Sequence, residues 1–133
     1  MNKEKLQLEL EEKEILKFLI SLGTPNLYRS KLWLLCSGAK REINDNPEYY
    51  AKLILLSNNV PSLYEKQINL DVLRSNPQKN KDQEYLNKLK RILICYSIRN
   101  SSIGYCQGFN FIVCRLLDVL KDEVKIKYIL QDK

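Results

Sequence analysis

The sequence predicts an all-α fold, an irregular array of six to seven short helices. Two observations carry this. Apolar residues recur at threes and fours along most of the chain, the signature of helices with one buried face. Glycine and proline number only four each, too few for a turn-rich β architecture. A third observation bounds the class. Hydrophobic residues make up 44% and charged residues 29%, the balance of a globular protein rather than a disordered one. At 133 residues the chain fits one domain, residues 1–133, that can bury a real core.

Residues 4–22 place Leu8, Ile15, Leu16, Leu19 and Leu22 on one helical stripe, supported by Glu9 and Lys13 four apart. Gly23 ends that helix. Thr24-Pro25 reads as a capping hydroxyl followed by proline at the first helical position. The helix so started carries Arg29, Leu32, Trp33 and Cys36 and stops at Ser37-Gly38. Residues 40–45 read as a polar linker. Asn46-Pro47 repeats the cap-plus-proline start, and Tyr49, Tyr50, Leu53, Ile54 and Leu56 give the next apolar face, closed by Asn58-Asn59.

Residues 63–73 read as helical, with Leu63, Gln67, Leu70 and Arg74 along one side; residues 75–81, with a proline and no periodicity, read as a loop. Asp82 caps the best helix in the chain, marked by Tyr85, Leu86, Leu89, Ile92, Leu93 and Tyr96. Residues 100–102, Asn-Ser-Ser, break it. After a turn between Gly104 and Gly108, a second strong helix carries Phe109, Ile112, Val113, Leu116, Leu117 and Leu120. From Asp122 a last pattern, Val124, Ile126, Ile129 and Leu130, runs out without a glycine or a cap. The expectation is therefore an incomplete domain, the N-terminal subdomain of a larger helical one.

The net charge of +6 would suit nucleic acid, an anionic membrane or an acidic protein surface. Its distribution narrows the choice. Residues 1–14 hold three lysines and five glutamates, while residues 79–91 hold five basic and two acidic residues. That basic window is mixed into an amphipathic helix and reads as a solvated face, so no nucleic-acid partner is expected.

Cys36, Cys95, Cys106 and Cys114 form no close pair, and the chain contains no histidine. Zinc thus lacks its usual ligands, and each cysteine, set in an apolar run, reads as a buried free thiol. With no signal peptide and no long apolar span, a cytoplasmic chain without an integral membrane segment is expected. Catalysis within the chain is hard to build. A Ser or Cys nucleophile has no histidine base, and no glycine-rich phosphate loop is present to bind a nucleotide.

Three peptides stand out in order. Gly23, Pro25, Arg29 and Trp33 follow the spacing Gly-x-Pro-x-x-x-Arg-x-x-x-Trp. Ile68, Asp71 and Arg74 follow Ile-x-x-Asp-x-x-Arg, with Ser75 where threonine is usual. Residues 104–110 read Gly-Tyr-Cys-Gln-Gly-Phe-Asn, with Phe109 where methionine is usual. Together they resemble the motifs of the TBC domain, the fold of many Rab GTPase-activating proteins. The resemblance runs from about Ser21 to Leu117 and stops short of the family's later helices.

What the resemblance implies is chemistry donated to another protein's site. In the family the motif arginine and glutamine act as two fingers inserted into the GTPase; here these are Arg74 and Gln107. A guanidinium supplied in trans neutralises charge building on the transferred phosphoryl group and is worth about 10³ to 10⁵ in rate. A carboxamide has both a donor and an acceptor and can hold the attacking water in line. The implied partner is a Rab-type GTPase in its GTP form, which brings its own GTP and magnesium, so no cofactor is expected in this chain. Recruitment to endomembranes would then be peripheral, through the partner. A non-catalytic TBC-like module that binds a GTPase or an adaptor is the alternative, and the isolated 133 residues need not be active alone.

Plainer readings exist for each residue. Arg74 could be a surface arginine paired with Asp71, and Gln107 a turn residue bonding a neighbouring loop. Both roles of Arg74 are compatible, since Asp71 could aim the guanidinium without burying it. Tyr105 reads equally as a partner contact and as a buried tyrosine that supports Gln107. Ser75 keeps the hydroxyl for a local hydrogen bond. Arg29 and Trp33 read as scaffold, with tryptophan in the core and arginine beside it. Asn110 reads as a helix-start cap, Gly104 and Gly108 as the hinges of the turn, and Cys106 as filler. The apolar flank expected on an incomplete domain would allow self-association.

Overall fold

The computed structural model describes residues 3–130, with side chains from Glu12 to Leu130. The stripe position Leu8 and the Glu9–Lys13 pair fall outside the described side chains. Among the described residues eight helices follow one another: α1 (Lys3–Ser21), α2 (Asn26–Cys36), α3 (Ala39–Asp45), α4 (Tyr49–Asn59), α5 (Glu65–Ser75), α6 (Gln83–Arg99), α7 (Phe109–Leu120) and α8 (Glu123–Ile129). No strand occurs among the described residues.

The middle of the fold is α6, which packs against α4, α5, α7 and α8. Its start is fixed by Asp82, whose carboxylate accepts the Tyr85 backbone N–H at 3.0 Å, the side-chain cap its sequence predicts. Leu89, Ile92 and Leu93 are fully buried along its length, each worth about 2 kcal/mol in apolar area withdrawn from water. Around them the main core gathers Ile68 and Val72 from α5, Val113, Leu116 and Leu117 from α7, and Ile126 from α8. A second cluster joins Ala39, Tyr50, Leu53, Cys95 and Tyr128.

One helix more than expected is present. Residues 40–45 are not a linker but most of α3. Gly38 (φ +75°) turns the chain at its start, Ala39 is fully buried, and Ile43 packs against the second cluster. Packing on α2 and α8 overrides a weak local pattern. Two starts also differ. The cap position of α2 is Pro25 and that of α4 is Glu48, neither with a side-chain cap. The carbonyl of Thr24, not its hydroxyl, is engaged: it accepts from Arg29 Nη2 at 3.0 Å.

Leu63, just before α5, and Gln67, Leu70 and Arg74 on it share one exposed side, while Ile68, Asp71, Val72 and Ser75 are buried. On α7, Ile112 is exposed and Cys114 takes an inward position. Cysteine burial is likewise split: Cys95 and Cys114 are buried, Cys36 and Cys106 exposed. Along α1, the turn after it and the start of α2, Ile15, Phe18, Leu19, Leu22, Leu27 and Tyr28 are exposed. No described helix is long and apolar enough to cross a membrane.

Candidate functional site

The C-terminal half of α5 is built round a buried carboxylate. Asp71 is 1% exposed, a position at which an ionised group is tolerated only when it is paired. Its Oδ1 accepts from Gln67 Nε2 at 3.1 Å, from Arg74 Nε at 3.0 Å and from Arg74 Nη2. Helical geometry supplies these donors, because residues four before and three after Asp71 share its face. Oδ2 accepts from the hydroxyl of Tyr105 at 2.7 Å. Burial pushes the Asp71 carboxyl upward, but the hydrogen bonds from Tyr105, Arg74 and Gln67 outweigh it and hold the group below the usual carboxylate range. The Tyr105 phenol moves the other way, raised by burial and by its bond to Asp71.

Arg74 is thereby gripped at one edge and free at the other. Its side chain is 58% exposed, and three of the five guanidinium N–H donors have no partner among the described residues. Ser75, the next residue, donates its hydroxyl to the Asp71 carbonyl oxygen and accepts from Asn110 Nδ2 at 2.7 Å. The hydroxyl retained at Ser75 therefore links α5 to α7.

The loop between α6 and α7 is shaped by its two glycines. Gly108 (φ +98°) is the cap position of α7, without a side-chain cap. Gly104 (φ +69°) passes so close to Tyr64 that a Cβ there would meet the phenol oxygen at 2.1 Å. Only glycine satisfies both the backbone angle and the contact. Asn110 is not the helix-start cap its position suggests. It is 2% exposed, inside the first turn, and its Oδ1 accepts the Gly108 backbone N–H at 3.1 Å and lies 3.4 Å from the Tyr105 hydroxyl. Asp71, Ser75, Tyr105 and Asn110 thus form one buried polar knot, and such knots are stiff when every member is satisfied.

Above the knot, Cys106 and Gln107 are exposed. The Gln107 carboxamide has no hydrogen-bond partner among the described residues, so the neighbouring-loop bond of the plainer reading is not formed. Cys106 is a surface thiol rather than filler. Arg74 and Gln107 therefore stand on two segments tied together by the Asp71–Tyr105 bond, both open to solvent. Neither lines the cleft of about 480 Å³ that runs between residues 57–65 and the α6 positions Asn87, Lys90, Arg91 and Ile94. Both side chains stand on an open surface rather than in an enclosed pocket.

The first motif lies elsewhere. Gly23 (φ +97°) and Pro25 are exposed at the α1–α2 turn, Arg29 holds the Thr24 carbonyl, and Trp33 is half-buried against the main core. None of the four enters the knot. Two residues that do bear on it, Gln67 and Tyr64, belong to no motif; in the sequence Gln67 stands out only as sharing a side with Leu70 and Arg74. No three or more His, Cys, Asp or Glu side chains cluster for a metal among the described residues.

The family model of the Rab-GTPase-TBC domain matches residues 26–130. Growth hormone-regulated TBC protein 1 of Xenopus laevis is 34% identical over 125 residues, covering 90% of this chain and 36% of that protein. Growth hormone-regulated TBC protein 1-A of Danio rerio is 38% identical over 106 residues, covering 76% of this chain and 29% of that protein. The crystal structure of the Chlamydomonas flagellar RabGAP TBC domain superposes with a TM-score of 0.77 at 26% identity, covering 95% of this chain and 47% of that one. The chain spans 36% and 29% of these two curated relatives. With the motif residues, the helical array and these matches in agreement, the chain belongs to the Rab-GTPase-TBC domain family.

Proposed function

We propose that this chain is the finger-bearing part of an activator of Rab-type GTPases, acting on the GTP-bound form. Arg74 neutralises charge developing on the transferred phosphoryl group, and Gln107 orients the attacking water through its carboxamide. GTP and magnesium belong to the partner. The supporting observation is the Asp71–Tyr105 bond of 2.7 Å, which ties together the two segments that carry Arg74 and Gln107, while Arg74 Nη1 and the Gln107 carboxamide keep no partner among the described residues. Leu70 and Leu73 beside Arg74, and Ile103, Phe111 and Ile112 around the Gln107 loop, are each more than half exposed. They supply apolar surface around the two side chains that a protein partner can cover. The setting is cytoplasmic, on endomembranes wherever the partner resides.

A second reading, a module that binds a GTPase or an adaptor without speeding hydrolysis, is favoured by one observation: Arg74 is paired with Asp71 rather than free. Single-turnover hydrolysis by a panel of GTP-loaded Rab proteins separates the two. Acceleration that is lost in Arg74→Ala and in Gln107→Ala supports the activator. Binding with unchanged turnover supports the module, and acceleration that survives both substitutions excludes the two fingers.

A further inference from the structure

The polar knot contains a donor that the finger mechanism does not use. Gln67 is exposed on α5, yet its Nε2 reaches Asp71 Oδ1 at 3.1 Å. The same oxygen takes Nε and Nη2 of Arg74, so three donors crowd one acceptor that has two lone pairs. Oδ2 is served by Tyr105 alone among the described residues. Remove Arg74 from this set and each oxygen still has a donor, Gln67 on one and Tyr105 on the other. Remove Gln67 as well and Oδ1 is bare on a carboxylate that is 1% exposed.

We propose that Gln67 is a positioning residue that keeps Asp71 paired when Arg74 leaves it for a partner protein. This rests on the finger reading above. A buried acceptor stripped of its donor carries a desolvation penalty, and here that penalty would fall on the extension of Arg74. With Gln67 in place the guanidinium is aimed by Asp71 but not trapped by it. Tyr105 has the complementary task, since its bond to Oδ2 fixes the loop bearing Gln107 throughout.

A double-mutant cycle on the chain itself tests the pairing without any GTPase. Gln67→Met removes the donor at nearly constant size, and Arg74→Ala removes the guanidinium; both side chains lie outside the core. Either single variant leaves a donor on each Asp71 oxygen. The double variant does not, and its loss in Tm exceeds the sum of the two single losses by about 4 °C. Gln67→Lys, which keeps an N–H donor, restores additivity. Additive losses, or a lysine variant that behaves like methionine, overturn the proposal.

With GTP-loaded Rab as the probe, Gln67→Met lowers kcat about tenfold with KM little changed, because the guanidinium is withdrawn from Asp71 as charge develops. Unchanged kcat overturns the positioning role even if the cycle is coupled. If a protein carrying this chain within a whole TBC domain accelerates no Rab while the cycle is coupled, the finger reading fails and Gln67 merely pairs a structural carboxylate.

Discussion

Tyr105 and Asp71 lie 34 residues apart in the chain and meet through a buried hydrogen bond of 2.7 Å from the phenol to Oδ2. That bond joins α5 to the loop before α7, and so joins the two segments that carry Arg74 and Gln107. Tyr105→Phe deletes the donor without changing the ring. The buried carboxylate loses its only Oδ2 partner among the described residues, and stability falls by about 1–3 kcal/mol. Urea unfolding measures it. Because the phenylalanine ring still fills the core, an unchanged midpoint would show that the bond contributes nothing net.

The Asp71 carboxylate makes the same region acid-sensitive. Its folded pKa is depressed below the unfolded value of 3.8, since the bonds from Tyr105, Arg74 and Gln67 outweigh burial. A depressed carboxylate contributes stability that is fully present above 3.8 and lost as pH falls through the lower folded value. Asp71→Asn removes this dependence and leaves Arg74 without its anion. Thermal melts between pH 2 and pH 5 should therefore show a shallower acid loss in Asp71→Asn than in the unsubstituted chain. Parallel profiles would remove Asp71 from the acid response.

Gly104 carries a prediction of geometric origin. Alanine there would sit at φ +69° with its Cβ 2.1 Å from the Tyr64 phenol oxygen and 2.3 Å from Cζ. Gly104→Ala is destabilising by about 2 kcal/mol or more from strain and overpacking. Tyr64→Leu, introduced with it, removes the ring atoms at the contact and returns part of the loss, whereas the backbone strain remains. If the pair of substitutions is no better than Gly104→Ala alone in chemical denaturation, the Tyr64 contact is not what demands glycine.

These sites also show what the sequence could express. Asp82 and the strict periodicity of α6 were legible because the cap and the buried stripe are both local patterns. The polar linker at residues 40–45 was misread because Ala39 and Ile43 are drawn into α3 by contacts with distant segments. The inward side of α5 was not legible for a related reason. Two of its buried positions, Asp71 and Ser75, are polar, so apolar periodicity alone does not mark that face. Asn110 has the residue type of a cap, and only the partner 35 residues away, Ser75, turns it into a buried bridge. Motif spacing located Arg74 and Gln107, while the hydrogen bonds that couple them needed coordinates.

The last prediction concerns a charge away from the knot. Lys127 on α8 is 2% exposed, with its ammonium 5.7 Å from the centre of the Tyr96 ring and no carboxylate paired to it among the described residues. Burial lowers its pKa to about 8, with Cys95 raising it and Arg99 lowering it by smaller amounts. The folded value thus lies below the unfolded 10.5. Below pH 8 the lysine is charged in both states and the cost of burying it is fully present, about 3 kcal/mol by linkage. Between pH 8 and 10.5 the unfolded chain binds the extra proton, so this group makes stability rise with pH across that window. Lys127→Met keeps the length and removes the charge. It should unfold at higher urea than the unsubstituted chain at pH 7, with the difference shrinking toward pH 10.5. A methionine variant that is less stable at pH 7 would mean that the ammonium is held by more than the face of Tyr96.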